Sequence, residues 1–174
     1  KKSLVAGNIG TPLCELALEY TDANYNVALA LSNFQLLGID TFRPHVSTVT
    51  NLAPDHLDYM DRLEAYYESK MRIYENTNAD DYFIRNVDDE NVVKYAQNIP
   101  CHVIDFSLKR KDVDLYKDDQ YAYYKDVQLF KLSDLKIVGE FNCGNAMMAS
   151  CMAYLMGVSL FNIQEVIREF SGVE

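Results

Sequence analysis

Short apolar runs alternate with amphipathic stretches along the first half of the chain. Runs of strand length lie at Ser3–Ala6, at Asn26–Ser32 and within "PHVSTVTNL", residues 44–52. A continuous apolar run is typical of a parallel strand that is covered on both faces. These three runs therefore predict buried strands of a parallel sheet.

A helix is predicted directly after the first run, in "GNIGTPLCELALEY", residues 7–20. Gly7 and Gly10 permit a tight turn after the strand. Thr11 is a natural N-cap, and Pro12 suits the first helical position. We expect the buried face of this helix to carry three apolar side chains: Leu13, Leu16 and Ala17.

The middle of the chain reads as helix, strand, helix and strand. "DRLEAYYESKMRIYENT", residues 61–77, has apolar and aromatic positions near helical spacing. "DYFIRN" (81–86) and "CHVIDFS" (101–107) are strand-like and bracket the short helical stretch "DENVVKYAQN" (89–98). Alternation of this kind indicates a mostly parallel sheet.

The pattern changes near the C-terminal third. Residues 112–136 show short apolar and aromatic segments separated by charged pairs, which predicts one or two antiparallel hairpins. Two further helices are predicted in "NCGNAMMASCMAYLMGV" (142–158) and "NIQEVIREF" (162–170). The predicted fold class is α/β, with a mostly parallel sheet flanked by helices and a small antiparallel excursion.

Composition narrows the class of protein. At 174 residues the chain is long enough to form one globular domain. The formal net charge of −10 argues against a general nucleic-acid surface, which needs clustered Lys and Arg. No apolar run approaches the roughly 20 residues of a membrane span. Four cysteines without zinc-ligand spacing, and no secretory signal, favour free thiols in a reducing cytoplasm.

Polar residues follow four of the predicted strands, in "GNIG", "SNFQ", "NLAPDH" and "RNVDD". Ligands of parallel sheets bind outside the carboxyl ends of the strands. We therefore expect these residues to gather along one edge of the sheet.

Asp55 and His56 lie in the third of these strand ends, and two interpretations are open. Asp55 could cap a following helix while His56 is a surface histidine, or the pair could present a metal or phosphate ligand. Lys70, among carboxylates and tyrosines on the next predicted helix, reads by itself as a solvated or salt-bridged residue.

Six blocks taken together are more specific than any one of them: "AGNIGTPL", "LALSNFQL", "VTNLAPDHLDY", "SKMRIYEN", "VGEFNCGNA" and "FSGVE". In this order the sequence resembles the central domain of the Mur ligase family, and within it the branch that adds D-glutamate. The resemblance runs over essentially the whole chain.

This resemblance implies an ATP-dependent amide ligation in peptidoglycan precursor synthesis in the bacterial cytoplasm. ATP would phosphorylate the carboxylate of UDP-N-acetylmuramoyl-L-alanine, and the amine of D-glutamate would displace the phosphate. Two anions have to approach each other in such a reaction, so Mg²⁺ and amide dipoles would be needed to neutralise them.

The resemblance also implies roles for particular residues. His56 matches a family ligand of magnesium, and Lys70 matches a lysine that the family carbamylates, so that it carries an anionic group. Asp55 would orient His56 or complete the metal shell. Asn8 and Ser32 match positions that contact the UDP-muramoyl substrate.

Asn142 and Asn145 match positions on the adenine side of ATP. Asn142 has a second interpretation as the N-cap of the helix that follows.

Several family features are missing from these 174 residues. The family's P-loop, roughly G-T-N-G-K-T-T, would precede Lys1, and the family continues beyond "FSGVE" into His-Arg and a C-terminal domain. We therefore expect a central-domain fragment, residues 1–174, that is catalytically inert alone, binds neither ATP nor Mg²⁺, and self-associates through apolar surface.

Three substitutions depart from the family pattern. Ala30 stands where the family usually has glutamate, Phe141 replaces a common histidine, and Asn33 replaces a serine. Alanine cannot bind magnesium, and phenylalanine cannot donate a hydrogen bond. Two alternatives therefore remain: a noncatalytic Mur-ligase-like binding homologue, or another Mur ligase or a folylpolyglutamate synthase.

Overall fold

The computed structural model describes residues 2–21, 25–54 and 62–172. The chain divides into two compact units, Lys1–Asp40 and Thr41–Glu174. The elements of the first unit are β1 (Lys2–Gly7), α1 (Leu13–Glu19), β2 (Tyr25–Ala30) and α2 (Asn33–Leu37). β1 and β2 pair in parallel, in a register that ends at Gly7 opposite Ala30.

The second unit is built on a six-stranded sheet of order β3-β4-β5-β6-β7-β8. Its elements are β3 (Val46–Val49), α3 (Leu63–Met71), β4 (Tyr82–Asn86), α4 (Glu90–Tyr95), β5 (His102–Phe106), β6 (Leu115–Lys117), β7 (Tyr121–Tyr124), β8 (Val127–Lys131), α5 (Glu140–Leu155) and α6 (Leu160–Glu169). β3 to β6 are parallel, and β7 and β8 complete the sheet in antiparallel orientation.

Two apolar clusters cover the two faces of this sheet. Phe83 and Ile84 are neighbours on β4 and are both fully buried, but successive side chains of a strand point to opposite faces. Ile84 joins the cluster that contains Met147 of α5 and Ile167 of α6. Phe83 joins the cluster formed with side chains of α3 and α4. The sheet therefore lies between two helical layers.

The predicted fold class is confirmed. The sheet is mostly parallel, helices flank it, and the antiparallel strands lie within residues 112–136 as predicted. The helix predicted over residues 61–77 is shorter than expected, because α3 ends at Met71 and continues only as the 3-10 turn Arg72–Tyr74.

Three predictions for α1 were wrong. Pro12 has an extended ψ of 139° and occupies the N-cap position, with no side-chain hydrogen bond to the helix. Thr11 is not the cap, and its carbonyl instead accepts a 3.0 Å hydrogen bond from Gly7 N–H. The expected apolar face is not buried either, because no residue of α1 is buried.

The second strand is parallel as predicted, but it is not covered on both faces. Val27 is 43% exposed, and Ala28 is also exposed. A two-stranded sheet with two short helices has too little apolar surface to enclose its own strands. The continuous apolar run identified the strand but not its degree of burial.

Candidate functional site

The end of β1 brings Asn8 close to the end of β2. Gly7 has a φ of +125°, and a Cβ at this position would clash with the carbonyl oxygen of Ala30. Asn8 N–H donates a 2.7 Å hydrogen bond to that same carbonyl. The close approach requires glycine at position 7 and leaves the Asn8 side chain exposed at the carboxyl edge of the pair.

Ser32 follows β2 and is held in a capping box at the start of α2. Its Oγ accepts a hydrogen bond from Gln35 N–H at 3.3 Å, and Gln35 Oε1 accepts one from Ser32 N–H at 2.9 Å. Because β1 and β2 are parallel and in register, Asn8 and Ser32 leave the sheet at the same edge. The structure thus brings the two predicted substrate residues to one side of this unit.

Asn33 departs from the family pattern, and the sequence predicts no function for it. Its side chain is 3% exposed, and its Nδ2 has no hydrogen-bond partner among the described residues. An unpaired buried donor costs about 1–3 kcal/mol, so it is uncommon in a folded protein. No pattern in the sequence predicts that this side-chain amide is buried without a hydrogen-bond partner.

Lys70 lies in the last turn of α3 and is half-buried. Its Nζ is 4.9 Å from the centroid of the Tyr66 ring, one helical turn earlier. Among the residues that the structure describes, its ammonium has no carboxylate within ion-pairing distance. An ammonium this close to the face of an aromatic ring makes a favourable cation–π contact.

The predicted magnesium ligands can be compared with the described residues only in part, because Asp55 and His56 lie outside them. Lys70 fits a magnesium site only as a carbamate, which would supply the oxygen ligand that Mg²⁺ prefers. Ala30 does not fit, since its methyl group has no ligand atom. Among the described residues, no group of three His, Cys, Asp or Glu side chains could hold a metal ion.

The end of β4 holds the chain that follows β3. Asn86 Nδ2 donates a 2.8 Å hydrogen bond to the Thr50 carbonyl, and Asn91 Nδ2 donates one of 3.2 Å to the Leu52 carbonyl. Asp89 Oδ2 accepts a 3.0 Å hydrogen bond from Leu52 N–H. The ends of β3 and β4 therefore lie side by side as expected, with bonds up to Leu52. The expectation that all four strand ends share one sheet edge was wrong, because "GNIG" and "SNFQ" follow strands of the separate two-stranded sheet.

Asp88, from the same strand end, binds the neighbouring strand on the other side. It accepts hydrogen bonds from Ser107 Oγ at 2.7 Å and from Leu108 N–H at 2.8 Å. The Leu108 side chain in turn packs against Gly144: a Cβ added to Gly144 would lie 3.3 Å from Leu108 Cδ1. The end of β4 thus connects the ends of β3 and β5 with the first turns of α5.

Asn142 and Asn145 lie on one face of α5, three residues apart, and both are exposed. The interpretation of Asn142 as an N-cap was wrong, because Gly139, with a φ of +107°, occupies that position. Asn142 Nδ2 instead donates a 2.7 Å hydrogen bond to the Val138 carbonyl. Asn142 is thus held by the chain just before α5, at a position where the resemblance predicts adenine contacts.

Two large apolar side chains that neighbour these asparagines in the sequence are exposed to solvent. Val138 and Phe141 are each 88% exposed. Phe141 is therefore not packed into the core of the described residues, and its ring is open to stacking. None of the described helices is long and apolar enough to cross a lipid bilayer.

Comparison with known proteins identifies the family of the chain. Residues 9–153 match the family described as Mur ligase middle domain. The chain belongs to the Mur ligase family.

Relatives with a specific activity in their names cover the whole chain. The UDP-N-acetylmuramoylalanine--D-glutamate ligase (MurD) of Lactococcus lactis subsp. cremoris (strain MG1363) is 39% identical over 170 residues, which are 98% of this chain and 38% of that protein. The ligase of the same name from Streptococcus equi subsp. zooepidemicus (strain MGCS10565) is 38% identical over 174 residues, again 38% of its length. The chain spans about two fifths of these curated relatives.

The fold also matches solved structures. A UDP-N-acetylmuramoyl-L-alanyl-D-glutamate--2,6-diaminopimelate ligase superposes with a TM-score of 0.73 at 19% identity, covering all of this chain and 47% of that one. At this identity the match supports the fold alone.

Proposed function

We propose that this chain is the middle domain of a longer ATP-dependent ligase that joins D-glutamate to UDP-N-acetylmuramoyl-L-alanine. The observation that carries the proposal is the 39% identity over 98% of the chain to a ligase named for that reaction. Its place in the bacterial cell is the cytoplasm, where peptidoglycan precursors are assembled.

The proposed reaction has two steps. An oxygen of the alanyl carboxylate attacks the γ-phosphorus of ATP, ADP leaves, and an acyl phosphate forms. The amine of D-glutamate then attacks the acyl carbon, the amide bond forms, and inorganic phosphate leaves with the carboxylate oxygen. Both steps bring anions together, so their rate depends on electrostatic stabilisation that is organised in advance.

Substrate binding is assigned to the first unit, and metal binding to the residues that follow β3 and to Lys70. Asn8 and Ser32 would hold the UDP-muramoyl substrate, a role supported by their common edge. Asp55 would orient His56. Mg²⁺, when bound, would neutralise the phosphates and the substrate carboxylate, held by His56 and by Lys70 in its carbamylated form.

ATP is assigned to the start of α5. Asn142 and Asn145 share an exposed face, and amide groups offer both donors and acceptors to the edge of an adenine ring. Phe141, 88% exposed beside them, would add a stacking surface.

We further propose that the 174 residues alone are inactive and bind no cofactor. They contain no G-x-x-x-x-G-K-[ST] sequence to hold the triphosphate. Exposed side chains such as Val138 and Phe141 support self-association of the isolated chain.

An acceptor panel tests the proposed activity. Phosphate release by the complete protein that contains this chain is measured with ATP and three sets of substrates: UDP-N-acetylmuramoyl-L-alanine with D-glutamate, UDP-N-acetylmuramoyl-L-alanyl-D-glutamate with L-lysine or diaminopimelate, and a folate with L-glutamate. We expect turnover with D-glutamate only. Turnover with another amino acid would assign the protein to a different branch, and the 174-residue chain should be silent throughout.

A noncatalytic binding homologue is the second candidate. Ala30 favours it, because the loss of a metal-binding carboxylate removes charge stabilisation worth several kcal/mol. Binding of UDP-N-acetylmuramoyl-L-alanine by the complete protein, with no phosphate release under any condition of the panel, would support this candidate.

A further inference from the structure

The segment that leads to His56 leaves the sheet before it reaches that residue. β3 ends at Val49, and residues 50–54 belong to no helix or strand. The backbone groups of such a segment need partners outside a sheet ladder wherever they are buried. Leu52, whose residue exposure is 3%, is the buried point of the segment.

Asp89 supplies one of these partners and caps a helix at the same time. Its Oδ1 accepts hydrogen bonds of 2.9 Å from Asn91 N–H and from Val92 N–H, which is the N-cap arrangement of α4. Its Oδ2 accepts the 3.0 Å hydrogen bond from Leu52 N–H. One carboxylate therefore fixes the start of α4 and the chain after β3 together.

The cap alone does not require a carboxylate. Serine and threonine cap helices about as well as aspartate, using a single oxygen. The second oxygen of Asp89 is needed only for Leu52, and Asn91 closes the arrangement by donating to the Leu52 carbonyl. Both backbone groups of Leu52 are thus bound by side chains from the start of α4.

Leu52 also connects this clamp with the helix of Lys70. Its side chain lies in the apolar cluster that contains Tyr66, Tyr67 and Val92. The Lys70 Nζ lies 4.9 Å from the centroid of the Tyr66 ring. A displacement of Leu52 would therefore move residues 50–54 relative to α3.

We propose that Asp89 is a positioning residue of the ligation site: by binding Leu52 N–H it fixes residues 50–54, which precede His56 in the sequence, against the helix that carries Lys70. The proposal rests on the function assigned to His56 and Lys70 above. Asp89 touches neither substrate nor metal in this role.

The test compares Asp89→Ser with a matched control, Asp118→Ser, in the complete protein. Asp118 lies in the β6–β7 turn and accepts hydrogen bonds from Gln120 N–H and Tyr121 N–H at 2.7 Å each and from Tyr123 Oη–H at 3.0 Å. It therefore uses its two oxygens in the same pattern as Asp89, far along the sheet from β3. Serine can keep the local cap in both variants and loses the third bond in both.

Two readouts separate positioning from general stability. The first is hydrogen exchange of the peptide containing Leu52, which should lose about tenfold in protection in Asp89→Ser and be unchanged in Asp118→Ser. The second is the Mg²⁺ concentration for half-maximal ligation, which should rise by about tenfold or more in Asp89→Ser only, the size found when a supporting residue of a metal site is removed. The melting temperatures of both variants are measured alongside.

Each outcome is decisive. Faster exchange at Leu52 together with a raised Mg²⁺ requirement in Asp89→Ser supports the proposal. An unchanged Mg²⁺ requirement, or an equal shift in Asp118→Ser, overturns it. If the unsubstituted complete protein ligates no D-glutamate, the function assigned above fails, and exchange at Leu52 still reports whether Asp89 holds the segment.

Discussion

Arg43 Nε donates a 2.6 Å hydrogen bond to Oδ2 of Asp81, whose side chain is 2% exposed. Asn78 N–H donates to the same oxygen at 2.9 Å, and His45 Nδ1 lies 3.2 Å from Oδ1. Burial by itself would raise the pKa of the Asp81 carboxyl, but these hydrogen bonds outweigh it and the pKa is lowered. The carboxylate is thus ionised and joins the residues just before β3 to those just before β4.

Replacement of Asp81 should destabilise the second unit. Asp81→Asn leaves Arg43 and the Asn78 amide with a poorer acceptor, and we expect the free energy of unfolding to fall by about 1–3 kcal/mol. Denaturant unfolding measures it. The control is Asp112→Asn, which breaks an ion pair with Arg110 in which the Asp112 side chain is 74% exposed, and which should change little. Equal effects of the two substitutions would contradict the structural role of Asp81.

The same carboxylate predicts a loss of stability in acid. Its pKa in the folded chain is below the ordinary value of 3.8, so the unfolded chain takes up the proton first as the pH falls. The stabilisation is complete above about pH 3.8 and disappears as the pH falls through the lower folded pKa. The difference in unfolding free energy between the unsubstituted chain and Asp81→Asn should therefore narrow in that acid range. A constant difference would contradict the link between Asp81 ionisation and stability.

Cysteine reactivity should follow burial. Burial raises the pKa of the fully buried Cys151 thiol to about 12, whereas Cys14 is exposed. Because the thiolate is the reactive species, a thiol reagent at mildly alkaline pH should modify Cys14 first and Cys151 only after unfolding. Mass spectrometry of timed samples gives the order. Modification of Cys151 at the rate of Cys14 would mean that the core around α5 is open.

Periodicity predicted the elements of the second unit because their apolar faces are buried as the pattern implies. Phe83 and Ile84 on opposite faces of β4 are an example. The first unit was predicted less well, since Leu13 and Val27 are apolar yet exposed, and periodicity cannot show how much surface a unit has to cover them. The bond from Leu52 to Asp89 spans 37 residues between a backbone and a side chain, so no local pattern encodes it.

Lys70 can be tested against a second lysine that lies over an aromatic ring. Lys94 Nζ also lies 4.9 Å from an aromatic centroid, that of Tyr95, on α4. In the complete protein, Lys70→Ala should lower kcat/KM for ligation on the order of a hundredfold or more, because the proposed carbamate ligand is lost, and Lys94→Ala should not. Similar losses in both variants would assign the effect to the lysine–aromatic contact instead.

In the isolated chain Lys70 should be an unmodified ammonium. The described residues offer no group of three His, Cys, Asp or Glu side chains that could hold a metal ion against a carbamate. Carbon-13 NMR in labelled bicarbonate should show no carbamate signal that disappears in Lys70→Ala. Such a signal would contradict this expectation.

Ala30 offers a gain-of-function test. It ends β2 opposite Gly7, and Ala30→Glu would restore a carboxylate where the family usually has one. If the complete protein is an impaired ligase, this change should lower the Mg²⁺ concentration for half-maximal ligation by about tenfold. Ala30→Gln, of equal size but uncharged, is the control. No change with either would favour the noncatalytic homologue.

The central claim, amide ligation through an acyl phosphate, is tested most directly by following one oxygen atom. The alanyl carboxylate of UDP-N-acetylmuramoyl-L-alanine is labelled with heavy oxygen, and the complete protein is incubated with ATP, Mg²⁺ and D-glutamate. We predict that the released phosphate carries one labelled oxygen for each amide bond formed, as measured by mass spectrometry. Amide product with unlabelled phosphate, or no product at all, would contradict the claim.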